Sequence, residues 1–259
     1  MALDLRELWA YRELLYFLTL RDIKIRYKQT LIGVAWVLLQ PIVTTAIFTV
    51  IFSSWARFDT GSIPYPLFAL SGLIIWIFTH GSISIASNSF VNNVNLVTKV
   101  YFPRLLVPLA ATLAGLFDLL FSVAILVILM AWYGIVPTLS LLLAPLFIAL
   151  ALVETAALGT LLSALNVRFR DVKFAVPFAL QVWMIASPIF YPANLVSEKW
   201  RLAFAVNPLT GIIDGFRSSL FGLPFDWPVI CVSCLSIAVS VIIALSVFKR
   251  MEDDFADLV

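Results

Sequence analysis

The sequence predicts an all-α integral membrane protein. It has six transmembrane helices, an N-terminal amphipathic interface helix and an extracytoplasmic re-entrant helical hairpin before the last span. Three observations carry this reading. Of 259 residues, 62% are hydrophobic and only 12% charged, with a mean hydropathy of +1.03. Soluble domains run at roughly 25% charged, so there are too few charges here to coat a soluble surface. Long uncharged runs alternate with short polar breaks. The basic residues are also unevenly divided between the two sides those breaks define.

Residues 1–30 hold Arg6, Arg12, Arg21, Lys24, Arg26 and Lys28 beside an apolar stripe of Leu5, Leu8, Trp9, Tyr16, Leu20, Ile23 and Tyr27. That pattern predicts an amphipathic helix lying in the headgroup layer. The start of the chain lacks the apolar core of a cleavable signal peptide, so none is expected. The first span is placed at 33–53, about 31 Å at 1.5 Å per residue. Pro41 lies inside it and is expected to kink it. Trp36 and Trp55 are expected as interfacial anchors. Residues 57–62 form a turn, and 66–86 are apolar enough for a second span. His80 in that span has no acidic neighbour in sequence, which favours a packing role over a proton relay.

The segment 92–104 is the first strongly polar, charge-bearing break after a long uncharged run. Asn92, Asn93, Asn95 and Lys99 cannot face lipid. Val94, Val97 and Tyr101 fall at spacings of three and four, which predicts one apolar face of a short surface helix. A partner protein pressing on the chain here accounts for such a surface. Spans three and four follow at 106–132 and 139–164, with Thr138 a candidate N-cap. Each carries one acid, Asp118 and Glu154. Intramembrane acids mark functional sites by default, and an interhelical hydrogen bond is the plainer alternative. Ala156, Gly159, Ser163 and Ala164 permit close helix contact.

A second basic loop, 166–173, leads into span five, 173–190, with Asp171 as its expected cap and Pro188 and Pro192 as its stop. In 193–226, one short helix is expected at 198–205. Another runs from the Asn207–Pro208 cap to Gly222. Neither is long enough to cross, so together they read as a hairpin dipping into one leaflet, buried in protein or lining water. Asp226 is expected to cap span six, 227–248. Lys249 and Arg250 end it, and an acidic tail covers 251–259. Cys231 and Cys234 share a helix face within this span and read as inert buried thiols. The domain division is thus an interface helix at 1–30, a transmembrane domain at 31–250 and the tail.

Orientation follows from charge. Thirteen of the 17 basic residues fall on one side, and Arg57, Lys199, Arg201 and Arg217 fall on the other. The positive-inside rule then puts both termini, 92–104 and 166–173 in the cytoplasm, and the hairpin outside.

Several chemistries are excluded. No G-x-x-x-x-G-K-[ST] run is present, so the chain has no P-loop of its own. One histidine and scattered acids supply neither a nucleophilic triad nor a metal-ligand cluster. Asp118 and Glu154 stand on separate spans rather than as a paired glycosidase dyad. Basic residues confined to loops between apolar runs do not suggest nucleic-acid binding. What remains is a pore or transporter half with a cytoplasmic contact surface. Its interior is expected to be aromatic-rich, and aromatic faces with exchangeable hydrogen bonds suit a cargo that slides. Trp36, Phe178, Trp183, Phe190 and Tyr191 are the candidates for that lining, and interfacial or packing roles are the alternative for each.

Arg21-Asp22-Ile23-Lys24-Ile25-Arg26-Tyr27-Lys28 runs on through Gly33 to Trp36 and Leu39-Gln40-Pro41. Val97-Thr98-Lys99-Val100-Tyr101-Phe102-Pro103-Arg104, Asn166 to Val172, and Asn207-Pro208-Leu209 follow in order. This series resembles the permease subunit of ABC-2-type polysaccharide exporters, the O-antigen, capsule and teichoic acid group, over about residues 6–250. The resemblance implies a non-enzymatic transporter subunit of the bacterial inner membrane, working as a homodimer with two copies of a separate ABC ATPase. ATP and Mg would be held by that partner and no cofactor by this chain. It implies an undecaprenyl-linked polysaccharide as cargo. It makes 92–104 a coupling helix, with Asn95, Lys99, Tyr101 and Arg104 meeting the ATPase and Arg12 of the N-terminal helix assisting. Spans one and five would flank a lateral gate, and the hairpin would form the outer gate. An ABC-2 permease for a drug or small lipid is the same-fold alternative. A membrane glycosyl- or acyltransferase, or a channel or scaffold without ATP coupling, are the alternatives of other classes.

Overall fold

The computed structural model describes residues 5–28, 35–52, 63–169 and 171–252. The first-span residues 33, 34 and 53, Trp55, the 57–62 turn and the acids at 253 and 254 lie outside that set. All regular structure among the described residues is helical. The chain runs α1 (Leu5–Ala10), α2 (Arg12–Tyr27), α3 (Ala35–Ile51), α4 (Tyr65–Ser87), α5 (Ser89–Asn92) and α6 (Val94–Lys99). It continues with α7 (Leu106–Trp132), α8 (Ala144–Arg168), α9 (Val172–Ile185), α10 (Glu198–Phe204), α11 (Pro208–Phe221) and α12 (Trp227–Met251).

Among the described residues, four helical stretches are long and apolar enough to cross a bilayer: α4, α7, Leu139–Arg168 and α12. Two shorter apolar helices, α3 and α9, accompany them. The chain is therefore a multi-pass membrane protein. The least hydrophobic of the four spans, α4, is also the most buried. Of its apolar window 72% is buried inside the protein, against 28–33% for the others. This follows from the solvent: lipid-facing positions must be apolar, whereas helix contacts favour small and hydroxylated residues that let backbones approach. Gly72, Thr79 and Ser82 of α4 face its neighbours α7 and α8, or the far-end hairpin. Gly159 of α8 is one such close approach: a Cβ there would lie 2.8 Å from that of Ala86 on α4.

Among the described residues two apolar cores follow. The larger joins α4, α7, α8, α9, α11 and α12. The smaller gathers Leu18, Phe90, Phe102, Leu105, Phe248 and Met251 at the end of the bundle that carries both termini. The opposite, far end holds α10, α11 and the start of α4.

Several boundaries differ from the sequence reading. The N-terminal helix breaks at Tyr11 into α1 and α2. Span four begins as a single 3-10 turn, Leu139–Leu143, and runs on to Arg168. Asn166 holds this extra turn in place by donating to the carbonyl of Ser87 and the side chain of Asn88. The helix expected as span five, α9, stops at Ile185 rather than 190: Ser187 bonds back to the Trp183 carbonyl, and Pro188 cannot continue the helix. Thr138, Asp171 and Asp226 make no capping hydrogen bond. Asp226 pairs with Arg201 instead. Asn207 does cap α11, accepting from Leu209 N at 3.1 Å, and Gly222 ends that helix at φ +67°. Cys231 is exposed rather than buried, and neither cysteine is in a disulfide. His80 packs its ring 5.6 Å from that of Trp76.

Candidate functional site

The residues singled out by sequence separate into a terminal-end surface, a clamp, a buried acid and a far-end junction.

At the terminal end, the polar segment is not one amphipathic helix. It is two short helices, α5 and α6, and α6 stops at Lys99. Val100 is then extended (φ −126°, ψ 131°), in keeping with the bias against helix near Pro103. Tyr101 therefore does not share a helical face with Val94. Phe90 and Phe102 sink into the smaller core on either side of the segment and hold it as a staple. Between these anchors Lys99 is exposed and Tyr101 is 88% exposed. Arg104 is committed internally: its guanidinium donates to the Glu252 carbonyl and ties the segment to the end of α12. Arg12 is exposed, 5.5 Å from the Trp9 ring. Asn95 lies in α6, and its side chain is outside the described residues.

The clamp joins α2 to α7. Asp118 accepts from the Arg26 guanidinium and from the Tyr27 hydroxyl. Burial, then the hydrogen bond to Asp118, raises the Tyr27 hydroxyl well above its ordinary range. Arg26, Tyr27 and Asp118 line a cavity of about 210 Å³ together with Trp36 and Gln40 of α3. An acid that sequence placed inside span three thus serves to hold the N-terminal helix against the bundle.

Glu154 is 2% exposed on α8. One carboxyl oxygen accepts from Ser240 of α12 at 3.3 Å, and the other has no hydrogen-bonding partner among the described residues. It is a contact between the two helices.

The far end is organised by Arg217, which sequence reading had only counted as an outside charge. It is 2% exposed. From α11 its guanidinium donates to the carbonyls of Pro188 and Ile189, each at 2.7 Å, to the Phe68 carbonyl at 3.1 Å and to Ser71 Oγ at 3.3 Å. It also stacks 3.6 Å from the centre of the Phe68 ring. A planar fork of five donors suits this set of diverging acceptors; a lysine ammonium does not. Gly72 makes room, since a Cβ there would lie 2.7 Å from the guanidinium and 2.8 Å from the Ile189 oxygen. Asn207 completes the junction. It accepts from Trp183 Nε1 at 2.8 Å and donates to the Ala186 carbonyl and Ser187 Oγ. The turn after α9, the hairpin and the start of α4 are thereby held as one unit.

The five aromatics are not brought together. Trp36 is exposed beside the clamp cavity, and Phe178 is exposed on α9. Trp183 is half-buried, edge-on to Trp76 and bonded to Asn207. Phe190 is buried and stacked 3.6 Å from Phe48, with its carbonyl receiving Tyr65 Oη at 2.9 Å. Tyr191 donates to the Ile185 carbonyl at 3.2 Å. Phe190 and Trp183 are thus largely occupied in holding the far-end junction. A signal for Arg217 was present in the sequence: it sits in α11 with apolar Ile213 and Leu220 four before and three after. A charge on that stripe implies an internal partner. Among the described residues no group of three or more His, Cys, Asp or Glu could hold a metal ion.

Comparison with known proteins agrees with this architecture. The family model for "ABC-2 type transporter" matches residues 13–221. The chain is 28% identical over 256 residues to the "O-antigen export system permease protein RfbA" of Myxococcus xanthus, covering 97% of both chains. It is 26% identical over 247 residues to two proteins of the same description from Klebsiella pneumoniae, covering 95% of each chain. The matched region spans the clamp helix, the polar staple and the whole of α11, and the chain belongs to the ABC-2 type transporter family.

Proposed function

We propose that the chain is the membrane-spanning subunit of an ATP-driven exporter. Its cargo is a lipid-linked, O-antigen-like polysaccharide, moved across the bacterial inner membrane. The observation that carries this is the end-to-end likeness to O-antigen export permeases, at 26–28% identity over 95–97% of the chain. Two copies form the channel, and two copies of a separate ABC ATPase supply ATP and Mg, so this subunit holds no cofactor and catalyses no reaction. The glycan is carried on undecaprenyl. Both termini are cytoplasmic, as the charge bias requires.

In this reading α3 and α9 are the first and fifth of six spans. At 17 and 14 residues they measure about 26 and 21 Å, and α9 reaches across only with the turn that follows it. Their exposed apolar residues, Ile42, Val43 and Val50 on α3 and Phe174, Phe178 and Ile185 on α9, suit a lateral gate facing lipid or the second copy. The α10–α11 hairpin is the outer gate. Lys99 and Tyr101 meet the ATPase, with Asn95 and Arg12 assisting, while Arg104 braces the segment that transmits the push. Trp36 and Phe178, both exposed, are the better candidates for glycan contact; Trp183, Phe190 and Tyr191 shape the outer end. The domain division at 30 and 250 corresponds to interface helix, channel and tail.

The test is a deletion strain pulse-labelled in its surface sugars. Export by this chain predicts labelled, lipid-linked glycan retained on the cytoplasmic face and restored to the surface by complementation. Normal surface glycan without the chain would reject the proposal.

A further inference from the structure

At the far end a cavity of about 410 Å³ opens between α10, α11 and the start of α12. It falls within the roughly 300–1,000 Å³ typical of small-ligand sites. Its lining sets two arginines and two aspartates, with Thr210 and Ser218, among apolar residues. The charges are not equivalent. Arg217 is consumed by Phe68, Ser71, Pro188 and Ile189. Arg201 and Asp226 are paired with each other at the rim. Asp214, one helical turn before Arg217, makes no hydrogen bond to any described residue. Burial raises its carboxyl above the ordinary range, with Arg217 opposing.

With both carboxyls ionised the two arginines and two aspartates balance, and Asp214 offers free acceptor capacity while Arg201 keeps spare donors. Phe204 and Leu223 supply apolar wall. An anion would have to break the Arg201–Asp226 pair, and a cation would meet Arg217 behind Asp214. A neutral polyol meets neither penalty. Its hydroxyls can donate to Asp214 and accept from Arg201, while a C–H face lies against Phe204.

We propose that this cavity is a subsite for a single neutral sugar unit, used as the glycan passes the hairpin. The proposal rests on the export reading above and adds to it a defined contact on the extracytoplasmic side. One sugar held at a time, through a few exchangeable hydrogen bonds, would favour forward passage without anchoring the chain.

The experiment uses the full chain in phosphatidylcholine nanodiscs, which avoids maltoside detergents that would themselves compete. Saturation-transfer NMR is recorded with methyl α-D-glucoside, α-D-mannoside, α-D-galactoside and N-acetylglucosamine. Transfer to at least one of these is expected. Asp214→Ala should weaken it about tenfold or more, and Asp214→Asn, which keeps one acceptor oxygen, should weaken it less. Ala193→Phe, which fills the cavity while leaving Asp214 in place, should weaken transfer at least as much as Asp214→Ala. An unchanged unfolding temperature establishes that each variant is folded. No transfer from any of the four probes would overturn the proposal, as would wild-type transfer in folded Asp214→Ala or folded Ala193→Phe. Loss of transfer when phosphatidylethanolamine replaces half the lipid would overturn it too, by assigning the cavity to a phospholipid headgroup. Binding is read here without ATP or a partner. A strain that loses surface glycan while the purified chain binds none of the probes would remove the subsite and leave the export reading intact.

Discussion

Replacing Arg217 should loosen the far-end hairpin in a graded order set by donor geometry. In Arg217→Met the side chain keeps length and apolar stem but no donor. Phe68 O still accepts from Ser71 Oγ at 2.8 Å, so the groups left orphaned are chiefly the Pro188 and Ile189 carbonyls. Two buried, unsatisfied carbonyls cost about 2–6 kcal/mol together. Loss of the stack on Phe68 adds about 1–2 kcal/mol. Relief from burying a guanidinium returns several kcal/mol. The net expectation is a loss of about 2–4 kcal/mol, or ~30–900-fold in the opening equilibrium. Arg217→Lys keeps the charge and three donors but cannot reach all four acceptors or stack flat, and should lose about half as much. The assay is amide hydrogen exchange over 208–221 in nanodiscs, with α7 as internal reference. Protection should fall in the order Arg, Lys, Met, and α7 should be unaffected. Wild-type protection in Arg217→Met would refute the reasoning, and a lysine variant worse than the methionine one would refute its geometric part.

Three further outcomes follow from the same contacts. Gly72→Ala places a Cβ 2.7 Å from the Arg217 guanidinium and 2.8 Å from the Ile189 oxygen, so it should destabilise the same region by about 1–3 kcal/mol, seen as a lowered unfolding temperature. For the clamp, a double-mutant cycle of Arg26→Gln and Asp118→Asn should give a coupling of about 1–2 kcal/mol in the protection of α2, the partners being only 22% and 21% exposed; strict additivity would mean that the pair does not hold the helix. Lys99→Glu with Tyr101→Ala should leave stability within about 0.5 kcal/mol, because both side chains are exposed. The same pair should weaken co-purification of the ATPase about tenfold or more, and unchanged co-purification and transport would reject the coupling role.

How legible this was depended on the scale of the signal. Helix existence came through, because runs of twenty apolar residues have no other stable solution in lipid. Apolar pattern alone gives helix ends at 106 and 132, where α7 has them, and the Asn207–Pro208 cap and Gly222 delimit α11. Pairings between helices were not legible. Asp118 and Glu154 looked alike in sequence, each a lone acid in a span. In the fold one clamps Arg26 and Tyr27, 92 and 91 positions away, and the other meets Ser240. Nothing in local pattern records which side chain lies opposite. The aromatics show the same limit: a glycan path, a lipid belt and a packed junction use the same residue types. Only the partners of Phe190 and Trp183 separate them from Trp36 and Phe178. The polar staple was found as a break in hydropathy, but its shape was missed. A 3.6-residue period runs on through Tyr101 in the sequence, but α6 ends at Lys99, ahead of the buried Phe102 and Pro103.

The most direct test of the central claim is transport in a defined system. The chain and its partner ATPase are reconstituted into proteoliposomes with labelled lipid-linked glycan, and the fraction protected from external glycosidase is followed on adding ATP. The account predicts ATP-dependent translocation that requires both proteins and is lost with Lys99→Glu and Tyr101→Ala. Glycan movement that is independent of ATP, or no movement with both intact proteins and a glycan drawn from the same cell, would contradict it.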